Sequence, residues 1–480
     1  MDSRIINRIS VDRRLCFSLA SAVILMLFLF GPLNHYLLES LYNSNWYHLG
    51  VPMLVAAYFA CRGFRDGIEM TILILYMLWA VVTRVFNGDI FLLEEGDYLI
   101  DLSTMILMFA PGILLAGKKR EWYFSSVSGI LIVFYFLASL LCIYAAATNT
   151  YLENPIDYRG IGYSALTENR FNFLSFQWNE TAGQFAIAFA LCLTLFFRTN
   201  RLPIRIFLAA AAACDAIVVG LTMSRNGETC VGLALGMMVG ILVLNRLQRL
   251  KTWQRVFALL LTTALIAFLV YQLFEPIRYG IWSVSQTVQT AETVAPAQSE
   301  VPPAVMSAQA QEERKSGKMD ETGSAGGYQA DERDYFESGR KEIFWSALKS
   351  LQLEPKRLLI GSGYYHVMDI SHQLIKEQAK HFHNTFLQVI NEYGIIGLLL
   401  VLWFFWRMLL YAYHLTVASN DTVPAGDQML VLVPLMLMFY FMLEVGIFKI
   451  VDTANIRNTV FYFACGMLTG VSRDSSREDS

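Results

Sequence analysis

Charge is scarce in this chain. Of its 480 residues only 16% are Asp, Glu, Lys or Arg, against 55% hydrophobic ones. That balance excludes a soluble enzyme of this length and fits a protein that crosses a membrane many times. Cysteine is sparse too. Cys16, Cys61, Cys142, Cys192, Cys214, Cys230 and Cys465 all lie in or at the ends of apolar runs, and no Cys-x-x-Cys occurs. They read as small hydrophobes rather than disulfide partners or metal ligands. No Gly-x-x-x-x-Gly-Lys-Ser/Thr loop and no Asp-x-Asp pair is present, which argues against a cytosolic sugar-nucleotide donor. No small-residue cleavage site follows the first apolar run, so that run reads as a helix and not as a signal peptide.

The apolar residues fall into about twelve runs, each near the ~20 residues that a spanning helix needs. Their centres lie near Val23, Leu54, Leu75, Ile106, Val133, Phe189, Ala211, Gly236, Leu261, Leu400, Met436 and Phe463. The expected fold is an all-α polytopic membrane protein with about 12 transmembrane helices. Residues 1–274 hold nine of them, 275–382 form an external loop, and 383–480 hold the last three and a short tail.

Basic residues order the loops. Arg4, Arg8, Arg13 and Arg14 precede the first run. Arg62 and Arg65, then Lys118, Lys119 and Arg120, then Arg198, Arg201 and Arg205, then Arg246, Arg249, Lys251 and Arg255 mark alternate loops. The intervening loops carry Asp89, Glu94, Glu95 and Asp97, or Glu153, Asp157 and Glu168. The positive-inside rule therefore puts both termini in the cytoplasm and residues 148–175 and 275–382 outside. Within the long loop, residues 284–335 are rich in Ala, Gln, Ser, Thr, Glu, Pro and Gly without apolar periodicity, a composition expected to be disordered. From 336 to 353 Ile343, Phe344, Ala347, Leu348 and Leu351 recur at helical spacing. This predicts an amphipathic helix on the outer membrane surface.

The chemistry-bearing residues cluster after that helix. His366, His372, His381 and His383 fall within 18 residues, and His383-Asn384 opens an apolar helix. Three readings stand. Asn384 is an acceptable N-cap and the loop simply a solvated one. The histidines hold zinc, although there are no cysteines and the spacings fit no usual ligand pattern. Or His383 is a base, held by a helix whose Gly394 and Gly397 share its face and admit a close neighbour. Arg225, in Thr222-Met223-Ser224-Arg225-Asn226-Gly227, runs against the charge ordering at the outer end of a span. It is either a snorkelling arginine or a site residue. Arg170 lies among Phe171, Phe173, Phe176 and Trp178, which also read as an interfacial aromatic belt. Asn179-Glu180-Thr181 matches a glycosylation sequon, but it opens a membrane helix and is discounted. Together Arg170, Arg225, Arg340 and His383 map to the outer side. Guanidinium forks match phosphate oxygens, and an imidazole can take a proton from a hydroxyl. That set suits transfer from a diphosphate-linked lipid to an alcohol.

With these residues in place, the chain resembles the O-antigen ligase and O-antigen polymerase family. His383-Asn384, a gap of nine residues (385–393) and Gly394-Ile395-Ile396-Gly397 are similar to that family's His-Asn/Ser/Gln…Gly-x-x-Gly/Thr/Tyr signature. Ser224-Arg225-Asn226-Gly227 resembles its Ser-Arg-x-Gly turn. Ser338-Gly339-Arg340, Trp345, Leu358 and Gly361-Ser362-Gly363 resemble the approach to the His motif. Arg170 and Asn179 resemble its Arg…Asn-Pro-Asn helix entry, with Trp178 in place of the proline. The resemblance implies an undecaprenyl-diphosphate-linked glycan as donor, a glycan or lipid-linked acceptor, and no metal or other cofactor. It implies that His383 activates the acceptor hydroxyl and that Arg225 and Arg340, with Arg170, bind the diphosphate. Asn384 and Asn179 complete the implied substrate-binding set. The implied location is the outer face of a bacterial cytoplasmic membrane, among lipids and other envelope polysaccharide assembly proteins, with no nucleic acid partner. A transporter of lipid-linked sugar or polyanion is the alternative. Against it, the halves show no internal repeat and the polar residues avoid mid-membrane depth. A non-catalytic sensor or scaffold has no specific support.

Overall fold

The computed structural model describes residues 13–30, 67–87, 97–152, 161–164, 170–174, 178–247, 249–294, 340–353, 355–363, 382–418, 423–444 and 456–478. Its helices are α1 (Arg13–Phe30), α2 (Ile68–Asn87), α3 (Asp97–Leu114), α4 (Gly117–Thr148), α5 (Trp178–Arg198), α6 (Leu202–Leu221), α7 (Arg225–Arg246) and α8 (Thr252–Val294). After these come α9 (Arg340–Leu353), α10 (Pro355–Ile360), α11 (Thr385–Tyr413), α12 (Ala425–Leu443) and α13 (Ile456–Glu478). Every apolar run except the one near Leu54, which lies outside the described residues, has its centre inside one of them. Among the described residues, eight helices are long and apolar enough to cross a membrane, and Arg14–Met26 and Ser103–Leu114 are shorter apolar helices. The chain is an all-α, multi-pass membrane protein. Helices suit this setting because they satisfy every interior backbone group without water.

The bundle is centred on α5 and α12, the most buried of the spans. On α5 Thr181, Ala182, Gly183, Ala186, Ala188 and Ala190 are buried, and such small side chains let neighbouring backbones approach. By contrast α8 is largely exposed along Trp253, Phe257, Leu260, Leu261, Leu265 and Phe268. It continues to Val294, past residue 284, where the composition predicted that regular structure ends. Residues 295–339 lie outside the described ones.

One hairpin interrupts the helical pattern. Strands β1 (Ile161–Ser164) and β2 (Arg170–Phe173) pair antiparallel, with Ser164 opposite Arg170 and Ile161 opposite Phe173. Here the expected aromatic belt is corrected. Phe171 is buried and meets Tyr163 edge-on at 5.2 Å; Phe173 meets Phe185 of α5 at 5.4 Å. Their alternation is that of a strand packed on the bundle. Phe173 N donates to Thr181 Oγ1 at 3.1 Å, fastening β2 to the start of α5.

The amphipathic helix expected over 336–353 is described from Arg340 to Leu353. α9 begins at Arg340, and Ile343 and Ala347 pack against Phe382 and Leu387. Ser350 Oγ donates to Asn391 Oδ1 at 2.5 Å. Trp345 and Leu348 are exposed, so the apolar set divides, and one face of the helix packs on α11.

α11 is not continuous. Gly394 has φ 67° and ψ −170°, a region open essentially to glycine alone. This overturns the expectation that His383, Gly394 and Gly397 share one helical face, since His383 precedes the helix and Gly394 breaks it. Three carbonyls before the break are bonded from outside the helix. Ser362 N donates to Asn391 O at 2.8 Å and Gly363 N to Glu392 O at 3.1 Å. Trp79 Nε1 donates to Tyr393 O at 2.7 Å. A Cβ on Gly394 would strike the backbone of Leu359 and Ile360, and one on Gly361 (φ 85°) that of Glu392 and Tyr393. The two glycine motifs of the sequence are thus two halves of one joint.

Candidate active site

Four helices enter the same end of the bundle, three of them through a residue forced out of ordinary geometry. Met223 before α7 has φ 54°, His383 before α11 has φ 50°, and Leu174 between β2 and α5 has φ 48°. Such left-handed backbone costs a non-glycine residue about 1–2 kcal/mol, and outliers of this kind gather where the surrounding structure fixes a functional geometry. The fourth entry is that of α13.

At α11, Asn384 Oδ1 accepts from Leu387 N at 3.0 Å, an N-cap, while its Nδ2 donates to Met442 O at 2.7 Å. Its amide is thereby committed within the protein. Phe382 N donates to Gln388 Oε1 at 3.1 Å, and Gln388 in turn bonds Glu392. Between these two anchored neighbours stands His383, its side chain 29% exposed. The ring is thus partly accessible while one edge is held. The holding group is Glu444, directly after α12, whose Oε2 lies 3.2 Å from His383 Nδ1.

Glu444 is a junction. Its Oε1 accepts from Asn179 Nδ2 at 2.8 Å, and Asn179 Oδ1 accepts from Ser224 Oγ at 2.7 Å. Ser224 Oγ also accepts from Gly227 N at 3.3 Å, capping the helix whose first residue is Arg225. A relay of three hydrogen bonds therefore links the imidazole to the residue before Arg225. Arg225 is half-buried, and Asn226, Gly227 and Glu228 behind it are buried. Thr385 Oγ1 donates to Glu444 O at 3.2 Å, closing the loop back onto α11.

A second polar group flanks the first. Tyr440 OH donates to Asn179 O and receives Arg457 Nη1, both at 2.7 Å. Arg457 Nη2 pairs with Glu180 Oε1 at 2.8 Å. At the hairpin, burial pushes the Tyr163 hydroxyl up to about 12, so it stays protonated near neutrality and does not compete as a base.

Of the residues singled out in the sequence, the fold draws together His383, Asn384, Asn179 and the entry of the Arg225 helix. Arg340 opens α9, three residues before Ile343, which packs on Phe382 beside His383. Arg170 stands at the start of β2, whose other end is tied to α5. His366, His372 and His381, on which the zinc reading depends, lie outside the described residues. Glu444, Tyr440, Arg457 and Glu180 were not singled out. A signal existed for two of them: Glu444 ends an apolar run and Arg457 opens the next, the same anomaly that drew attention to Arg225.

The other end of the bundle holds the basic clusters. Arg198 pairs with Asp427 at 2.5 Å, Arg120 with Asp474 at 2.8 Å. Fully buried Glu69 accepts from Arg407 Nε at 2.8 Å and Tyr411 OH at 2.5 Å, and pairs with Arg473. These pairs lie at the far ends of the helices that bring His383 and Arg225 together.

A family model described as O-antigen ligase matches residues 210–402. This match supports an O-antigen ligase family assignment. The matched segment begins within α6 and ends within α11, so it contains Arg225, Arg340, His383 and Asn384. Arg170, Asn179, Glu444 and Arg457 lie outside it, and three of these enter the hydrogen-bonded site only through the fold. No curated protein matches this sequence.

Proposed function

We propose that this protein transfers a glycan from an undecaprenyl-diphosphate-linked donor to the hydroxyl of a glycan or lipid-linked acceptor. The transfer takes place on the outer face of a bacterial cytoplasmic membrane. The observation that carries the reading is His383, half-open to solvent, joined through Glu444, Asn179 and Ser224 to the helix that Arg225 opens. The O-antigen ligase match supports glycan transfer at family level. The charge ordering supports the outer face, because the site lies at the end away from the basic loops.

In this reading the acceptor O–H gives its proton to His383. The acceptor oxygen forms the new bond to the anomeric carbon as the bond from that carbon to the diphosphate oxygen breaks. The lipid diphosphate leaves with the electron pair. Arg225, Arg340 and Arg170 stabilise the charge gathering on it, by forked hydrogen bonds that strengthen as the bond breaks. The amino end of α7 adds to that field, because the helix dipole favours an anion there. Asn384 and Asn179 fix the two helix entries between which the substrates meet. The chemistry needs no cofactor in this reading.

The test is reconstitution of the purified chain in lipid with a synthetic diphosphate-linked oligosaccharide and candidate acceptors, with product size measured. Transfer by wild type and its loss in His383→Ala is the expected result. A ladder of products identifies a polymerase and a single addition a ligase. Full transfer by His383→Ala overturns the reading, as does uptake of the lipid-linked sugar into vesicles without any transfer.

A further inference from the structure

Two side chains converge on the Glu444 carboxylate. His383 Nδ1 approaches Oε2 at 3.2 Å and Asn179 Nδ2 approaches Oε1 at 2.8 Å, while the carboxylate is only 5% exposed. Its backbone is held as firmly, with Glu444 N donating to Tyr440 O at 2.9 Å and Glu444 O accepting from Thr385 Oγ1 at 3.2 Å. An ionised carboxylate only accepts hydrogen bonds. Beside an ionised Glu444, a neutral His383 carries its proton on Nδ1 and its lone pair on Nε2.

We propose that Glu444 is the positioning residue of the transfer reaction, holding His383 in the Nδ1–H form with Nε2 turned to the acceptor. This rests on the transfer chemistry proposed above. Glu444 takes no proton itself. The acceptor's proton stops on Nε2, and the buried carboxylate stabilises the imidazolium so formed, in surroundings where screening is weak. Through its second oxygen Glu444 orients the Asn179 amide, which must offer Oδ1 to Ser224 and Nδ2 to the carboxylate at once. One side chain thus sets the base and the cap of the Arg225 helix together, so that a shift of one moves the other.

Glutamine shows why the charge is needed. It has one acceptor oxygen, and two donors arrive. In Glu444→Gln either the amide N–H meets Nδ1, which drives the ring proton to Nε2 and removes the base, or the Asn179 amide turns over and releases Ser224. Aspartate keeps both acceptors one methylene further back.

The experiment uses the full chain in lipid nanodiscs, with the synthetic diphosphate-linked oligosaccharide and an acceptor. Glu444→Gln is expected to lower kcat about 10²-fold, within the range of general-base catalysis, with the donor KM little changed, and Glu444→Asp to recover part of the loss. Nitrogen-15 spectra of histidine-labelled protein, with the His383 signal identified by its absence in His383→Ala, are expected to show Nδ1 protonated in wild type. Wild-type kcat in Glu444→Gln, a loss confined to KM, or a wild-type His383 protonated on Nε2 each overturns the assignment. The last readout needs no variant of Glu444 to fold. Should His383→Ala itself transfer glycan, the reaction reading fails instead, while the tautomer still reports on Glu444.

Discussion

Replacing Gly394 by alanine should cost far more than a methyl group in a membrane helix ordinarily does. Two effects add. The backbone at φ 67° and ψ −170° is strained by about 1–3 kcal/mol for a residue with a side chain. The new Cβ would also overlap the backbone of Leu359 and Ile360, and overpacking against atoms that cannot swing aside costs about 1–3 kcal/mol more. Relief requires α10 to withdraw. That breaks the bonds from Ser362 N to Asn391 O (2.8 Å) and Gly363 N to Glu392 O (3.1 Å). The loss expected is therefore about 2–6 kcal/mol, followed by slackening of the turns that carry His383. Thermal unfolding of the purified protein in detergent measures it, with Gly129→Ala as control. A Cβ on Gly129, inside α4, meets nothing within 4 Å, and alanine there should stabilise by about 0.5–1 kcal/mol. If Gly394→Ala melts with wild type, the account of the joint is wrong.

Other outcomes follow from the same geometry. Arg225→Lys keeps the charge but not the fork, and should lower kcat for glycan transfer by about 10²-fold, measured in the reconstituted assay. Glu69→Gln removes the carboxylate shared by Arg407, Tyr411 and Arg473, which joins α2, α11 and α13. A loss of about 2 kcal/mol in stability is expected, seen as a lower melting temperature with transfer retained below it. Deleting residues 296–332, which lack any apolar pattern, should leave membrane insertion and transfer intact. Failure of that deletion to insert would show that the segment does more than connect.

Much of the architecture could be read from single residues. The apolar runs near Leu75, Val133, Phe189, Ala211, Gly236, Leu261, Leu400, Met436 and Phe463 each became a helix. In hydrocarbon an apolar stretch of that length has few other ways to satisfy its backbone. Asn384 could be read as a cap for the same local reason, since an Asx side chain reaches a backbone N–H three residues on. The hairpin at Phe171 and Phe173 was misread because aromatic alternation over so few residues suits a belt and a strand alike. The helical face drawn through Gly394 failed because periodicity assumes an unbroken helix, and the break is seen only where Gly394 meets the backbone of α10.

What the chain determined by itself was which segments are helices, how their charged loops alternate, and that an imidazole and arginines stand at helix entries. Those are local properties, set by hydrophobicity and by side chains a few residues apart. Only the tertiary structure decided which partner each entry meets. His383 finds Glu444 across 61 positions, and Glu444 finds Asn179 across 265. The rotation of one packed helix against another settles such pairings, and it depends on every small and large side chain along both contact faces.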